Sequence, residues 1–127
     1  MARAGVDPQI FDRLQRAMAA DPQGLADLYR EYLTDARRKL GELEEALLQN
    51  NEEQLRTHAH YLKGSSQITG MRRVAEWCAE LELAGGAGGA DKTTKLVQEV
   101  AAALDAAQQE LTQRLGKDVV PAGGTAA

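Results

Sequence analysis

The sequence predicts an all-α protein: an antiparallel, up-and-down four-helix bundle with a short extra helix at its N-terminus. Three observations predict it. Apolar residues recur three or four positions apart through most of the 127-residue chain, the stripe of amphipathic helices. Aromatic residues make up only 4% of the chain against 43% hydrophobic, so the core is aliphatic and rich in Ala and Leu, which favour helices over sheets. Asp7-Pro8 and Asp21-Pro22 each pair a capping carboxylate with a proline suited to a first helical turn.

The elements follow in order. Asp7-Pro8 opens a short helix with Ile10, Phe11, Leu14, Ala17 and Met18 at helical spacing, ending near Ala20. Asp21-Pro22 opens a long one whose stripe is Leu25, Leu28, Tyr29, Tyr32, Ala36, Leu40, Leu43 and Leu47. Gly41 interrupts that run at a cost of about 1 kcal/mol relative to alanine, and close helix packing is the simple reason for it. Asn50-Asn51 ends this helix and caps the next, with Asn51 and Gln54 spaced as in a capping box. The third long helix runs from about Glu52 to Thr69 and breaks at Gly70. The fourth carries Met71, Val74, Trp77, Cys78, Leu81 and Ala84. Residues 84–90, AGGAGGA, read as a flexible linker. Asp91 can cap the last helix, with Val97, Val100, Leu104, Ala107, Leu111 and Leu115 on its stripe. Residues 1–115 thus form one helical domain, and 116–127 read as a disordered tail. Short joints between amphipathic helices favour antiparallel neighbours, and four long helices can close a core within a single chain, so a monomer is expected.

Charge and composition narrow the function. A net charge of -4 with no basic run argues against a nucleic-acid partner. No apolar run approaches the roughly 20 residues that span a bilayer. The N-terminal MARAGVDPQIFDRLQ lacks the apolar stretch of a signal peptide. The single cysteine, Cys78, cannot form an internal disulfide. The expectation is a cytoplasmic protein with no membrane contact.

Both histidines lie in HAHYLKGSSQITG, residues 58–70. Leu55, Ala59, Leu62 and, more weakly, Ser66 and Thr69 form the core-facing stripe of the third helix. His58 flanks that stripe and should pack at a helix boundary or bond a neighbour. His60 is two residues on, about 200° around the axis. Its face carries Arg56, Thr57, Lys63, Gly64 and Gln67, and should meet solvent. The two rings cannot share a metal from one helix, because positions i and i+2 point apart. An exposed imidazole, which ordinarily titrates at about 6.5, offers a nucleophilic nitrogen at neutral pH. Lys63, one turn on, is a point-charge phosphate partner. Gly64, at i+4, leaves the space above the ring empty, either as clearance for an incoming group or for close packing of the next helix.

The run HYLKGSSQITG…RVAEWCAELE resembles the histidine-containing phosphotransfer domain, the HPt module of multi-step two-component phosphorelays, especially its stand-alone yeast and plant members. The family's pattern falls on His60, Leu62, Lys63, Gly64, Ser65, Ser66, Gly70 and Cys78. The resemblance implies that His60 is the phosphoacceptor, taking a phosphoryl group from the aspartyl phosphate of one receiver domain and giving it to the aspartate of another. It implies that Lys63 helps hold the phosphoryl oxygens, that Gly64 permits approach, and that Gly70 shapes the turn. Its partners would be response-regulator receiver domains or a hybrid histidine kinase, docked on an apolar patch for which the short first helix and the start of the second are candidates. Gln67 and Arg56 are supporting residues on the same face, Arg56 as a steering charge. Many members carry a glutamine where this chain has Glu82; a carboxylate there could orient the far ring nitrogen, or repel a phosphoryl group.

No acidic cluster for Mg²⁺ appears on the His60 face, so the receiver is expected to bring the metal and the chain to bind no cofactor of its own. AGGAGGA lacks the signature of a phosphate-cradling loop, so the chain is expected to be a phosphotransfer intermediate rather than an ATP-dependent kinase. Two rival readings stand beside this one. One is a catalytically inactive bundle that binds receivers or other partners as an interaction module. The other is the dimerisation module of a histidine kinase, which pairs two helices per chain.

Overall fold

A computed structural model describes residues 5–84 and 89–121. Among these the chain is all-helical, with five α-helices: α1 Pro8–Ala17, α2 Pro22–Leu48, α3 Glu52–Thr69, α4 Arg72–Ala84 and α5 Gly89–Leu115. Helix α2 packs on α3, α3 on α4, α4 on α5, and α5 back on α2, which closes a ring. Helix α1 lies against α2 and α3.

The helix ends follow from local chemistry. Asp7 Oδ1 accepts from the Gln9 backbone N–H at 2.9 Å, and Asp21 Oδ1 from that of Gly24 at 2.9 Å, with Pro8 and Pro22 behind them. Helix α1 stops at Ala17, a few residues short of expectation, because Met18 already leaves helical geometry. Asn51 Oδ1 caps α3 through Gln54 N at 3.1 Å. Helices α2 and α3 end in the same motif. Asn50 (φ 53) and Gly70 (φ 81) adopt the left-handed conformation. Asn51 N then donates to Ala46 O at 2.9 Å, and Met71 N to Ser66 O at 2.8 Å, satisfying carbonyls that a helix end leaves open.

Gly70 has a second job. Its carbonyl accepts from Asp7 N at 2.7 Å, and a Cβ in its place would meet the Ile10 side chain at 3.1 Å. The α3–α4 joint therefore holds the start of α1, with Val6 bridged to Met71 and fully buried.

The core lies inside the ring: Tyr29, Leu33 and Leu43 from α2, Leu62 from α3, Val74 and Leu81 from α4, and Val100, Leu104 and Leu111 from α5 are fully buried. Tyrosines of α2 reach the polar end of the α3 stripe, where the Thr69 hydroxyl itself donates to Ser65 O at 2.9 Å. Tyr29 Oη donates to Thr69 O at 3.0 Å, and Tyr32 Oη lies 2.6 Å from Ser66 Oγ. Burial pushes the Tyr29 phenol up to about 12, so both hydroxyls stay neutral bridges between α2 and α3.

Three sequence expectations change. The chain keeps its structure past Leu115: Gly116 (φ 89) turns it back into a 3-10 turn, Lys117–Val119, and Val119 is fully buried against α2 and α5. The tail expected over 116–127 is therefore packed as far as Val119, and residues 122–127 lie outside the described residues. The AGGAGGA segment is partly helical: Ala84 ends α4 and Gly89 begins α5, while 85–88 lie outside the described residues. Asp91 consequently stands within the first turn of α5 rather than capping it from outside, where its charge still complements the helix dipole. Finally, a Cβ on Gly41 would meet nothing within 4 Å, so close packing does not explain that glycine.

Candidate functional site

Helix α3 buries Leu55, Ala59, Leu62, Ser66 and Thr69, which fixes its rotation in the ring. That rotation separates the two histidines. The His58 side chain is 17% exposed, and its Nδ1 sits 3.4 Å from Glu42 Oε1 and 3.5 Å from Lys39 Nζ, both on α2. It packs at the α2–α3 boundary, as the stripe predicts. The His60 side chain is 70% exposed on the α4 side.

Glu82 of α4 meets His60. Its Oε2 lies 2.7 Å from His60 Nδ1, while its Oε1 lies 2.7 Å from Lys63 Nζ. One carboxylate thus joins the imidazole and the lysine, with a separate oxygen for each. The hydrogen bond from Lys63 is the main force holding the Glu82 carboxyl below the usual glutamate range; burial opposes it, and the His60 bond adds to it. An ionised carboxylate can only accept, so in the neutral ring Nδ1 carries the proton and Nε2 keeps its lone pair for solvent. The question left by the sequence at Glu82 has a geometric answer: the carboxylate lies at the far nitrogen, and orients the ring from there.

Gly64 stands one turn beyond His60 on the same face, and a Cβ there would meet nothing within 4 Å. Of its two explanations, close packing fails and clearance remains. Gln67 and Arg56 are exposed, and the helical period puts them on the His60 side of α3. Gly70 is ten residues on, nearly three turns away, and belongs to the joint rather than to the site. Cys78, one turn before Glu82 on α4, is buried; burial, and then the Glu82 charge, push its thiol up to about 12. A neutral thiol in the core is no nucleophile at this site.

Two apolar neighbours escaped the sequence reading. Tyr61 and Ile68 are 48% and 75% exposed. They fall about 100° and 80° from His60 around the helix, with Gly64 between. Their signal was available, since both lie off the core stripe on a face otherwise polar. The other exposed large apolar side chains among the described residues are Leu48, Leu83 and Val120, and none lies on α1 or at the start of α2, where a docking patch was expected. Also among the described residues, no three His, Cys, Asp or Glu side chains group as a metal site, and no helix is long and apolar enough to cross a membrane.

The family model for the Hpt domain matches residues 27–110, more than half of the chain and all of the His60–Lys63–Gly64–Glu82 cluster. The chain belongs to the Hpt domain family. The fold of this Hpt domain is shared by solved relatives. Histidine-containing phosphotransfer protein B from Pseudomonas aeruginosa superimposes with a TM-score of 0.79 at 23% identity, over 89% of this chain and 96% of that one. A rice protein described as a putative histidine-containing phosphotransfer protein gives 0.79 at 21% identity, over 91% and 84%. No curated protein sequence matches this Hpt domain.

Proposed function

We propose that this protein is a histidine phosphocarrier that relays a phosphoryl group between receiver-domain aspartates in a two-component phosphorelay, through phosphohistidine at His60. The observation that carries this reading is a largely exposed imidazole whose Nδ1 lies 2.7 Å from Glu82 Oε2, with open space at Gly64 one turn on. Membership of the Hpt family supports it.

In this reading the Nε2 lone pair attacks phosphorus in line. The P–N bond forms, the P–O bond to the donor aspartate breaks, and the aspartate carboxylate is released. The return step reverses the same bonds onto a second aspartate. Lys63 supplies positive charge beside the transferring group, and the receiver supplies Mg²⁺ with its aspartate. The chain is a transfer intermediate with no ATP chemistry of its own. Tyr61 and Ile68 offer the apolar contact on which a receiver would seat, with Arg56 and Gln67 at the rim. The scaffold that fits this role is an antiparallel up-and-down four-helix bundle formed by α2–α5, with α1 as the extra helix; the closed ring of helix contacts and the tight α2–α3 and α3–α4 joints support it. A monomer in the cytoplasm, beside its receivers and hybrid kinase, accords with that role.

The test is transfer from a phosphorylated receiver. The protein should acquire an acid-labile, alkali-stable label, and His60→Gln should abolish it. A label that survives loss of His60 would overturn the proposal.

A further inference from the structure

Glu82 touches Nδ1 of His60, and the protonation of that nitrogen governs the outgoing step as well as the incoming one. When Nε2 takes a phosphoryl group while Nδ1 keeps its proton, the ring becomes a cation. On onward transfer the Nε2–P bond breaks and its electron pair returns to the ring. If Nδ1 still holds its proton, the leaving group is neutral imidazole; if that proton has been lost, the leaving group is imidazolate, which departs far less readily. Whether the phosphoryl group is mobile or stored is therefore decided at Nδ1, the atom that Glu82 holds at 2.7 Å.

We infer that Glu82 is a positioning residue that keeps the proton on Nδ1 of phosphorylated His60, so that the phosphoryl group stays labile toward an acceptor carboxylate or water at neutral and mildly alkaline pH. This rests on the phosphocarrier reading above. Three observations carry it. The carboxylate uses Oε2 for the ring and Oε1 for Lys63, so it can stay with the cationic ring while Lys63 turns to the phosphoryl oxygens. Glu82 is two-thirds or more shielded from solvent, so its charge acts through less water than a surface pair would. Among the described residues, Glu82 is the one carboxylate within ion-pair distance of the His60 ring. The titratable groups on its face are Lys63, Arg56 and, two turns back, Glu53 from α3, and Glu82 with buried Cys78 behind it from α4. Lys39 and Glu42 of α2 gather around His58 instead.

The consequence is a carrier tuned for rapid passage rather than storage. An amide at position 82 could hydrogen-bond the ring but would bring no charge to oppose the cation.

The experiment needs no receiver. Wild type and Glu82→Gln are phosphorylated with phosphoramidate, a small-molecule phosphoryl donor. Loss of phosphohistidine is then followed by ³¹P NMR from pH 5 to pH 10, with a thermal melt on each protein. Hydrolysis of wild type should persist to higher pH, its falling limb displaced by about one pH unit relative to Glu82→Gln. On that limb the variant's phosphohistidine should last about tenfold longer. ¹⁵N NMR of phosphorylated wild type should show Nδ1 still protonated at pH 8, a readout that does not depend on the variant folding. Equal lifetimes and coincident pH profiles, or an unprotonated Nδ1 at pH 8, would overturn the inference while leaving His60 as the acceptor. Failure of wild type to take any phosphoryl group at His60 would instead overturn the phosphocarrier reading, and this inference with it.

Discussion

Helix α3 carries two histidines two residues apart, and each has a lysine and a glutamate beside it. His58 has Lys39 and Glu42; His60 has Lys63 and Glu82. In both clusters a lysine hydrogen bond is the main cause holding the glutamate below its usual range. The side-chain inventory is the same, and only the placement differs. His58 is wedged between α2 and α3, its Nδ1 at 3.4–3.5 Å from two partners, with Lys39 also 4.3 Å over the Tyr61 ring. His60 stands clear, is held through one nitrogen at 2.7 Å, and has bare backbone beside it at Gly64. Residue types alone therefore do not tell the two clusters apart; exposure of the ring does, 17% at His58 against 70% at His60.

The comparison can be broken by closing the access. Gly64→Leu fills the space above His60 and should lower transfer by about a hundredfold, the scale expected when reacting groups are held off by an ångström or so. The fold should survive, because a Cβ at this position meets nothing within 4 Å. A melt that collapses in step with transfer would show Gly64 to be structural. Next in size, Lys63→Ala should slow transfer about tenfold, as loss of one charge-assisted hydrogen bond would. Its melting temperature should barely change, since an ion pair still reached by solvent contributes at most about 1 kcal/mol. His58→Gln should do the opposite: a stability loss of up to about 1 kcal/mol with transfer intact. Smallest of all, Gly41→Ala should raise stability by up to about 1 kcal/mol and leave transfer unchanged, because Gly41, like Gly64, has open space, yet faces no reacting group. If Gly41→Ala also slows transfer, the contrast between the two glycines fails.

Acid titration sharpens the comparison further. Glu82 and Glu42 have folded values below the ordinary 4.5, so each contributes stability that is fully present above that value and is lost as pH falls through the lowered one. Removing Lys63 should return Glu82 toward the ordinary range and leave Glu42 where it is. Carboxyl NMR titrations of the two glutamates would read this directly.

Much of this was legible in the sequence because it is local. Helix α3 runs over the expected residues because Asn51 and Gly70 cap it by their own chemistry, and its apolar spacing sets which histidine faces out. What was illegible depends on distant segments. Val119 looked like part of a loose tail because its partners are on α2 and on α5, and only the turn at Gly116 brings it back. Glycine composition cannot tell a linker from a helix start, hence the surprise at Gly89. The partners of His58 lie on another helix and carry no mark in the sequence. An apolar docking patch was expected on α1 and the start of α2, where Ile10, Leu14, Met18 and Leu28 are half-buried; Tyr61 and Ile68 are exposed on α3 itself.

The central claim is that position 60, through Nε2, is the one phosphoacceptor. Its most direct measurement is ³¹P–¹⁵N NMR of the full chain after phosphoryl transfer from a receiver. The account predicts a single P–N bond, to Nε2 of His60, with Nδ1 bearing its proton. A phosphoryl group on His58, or on Nδ1 of His60, would contradict it.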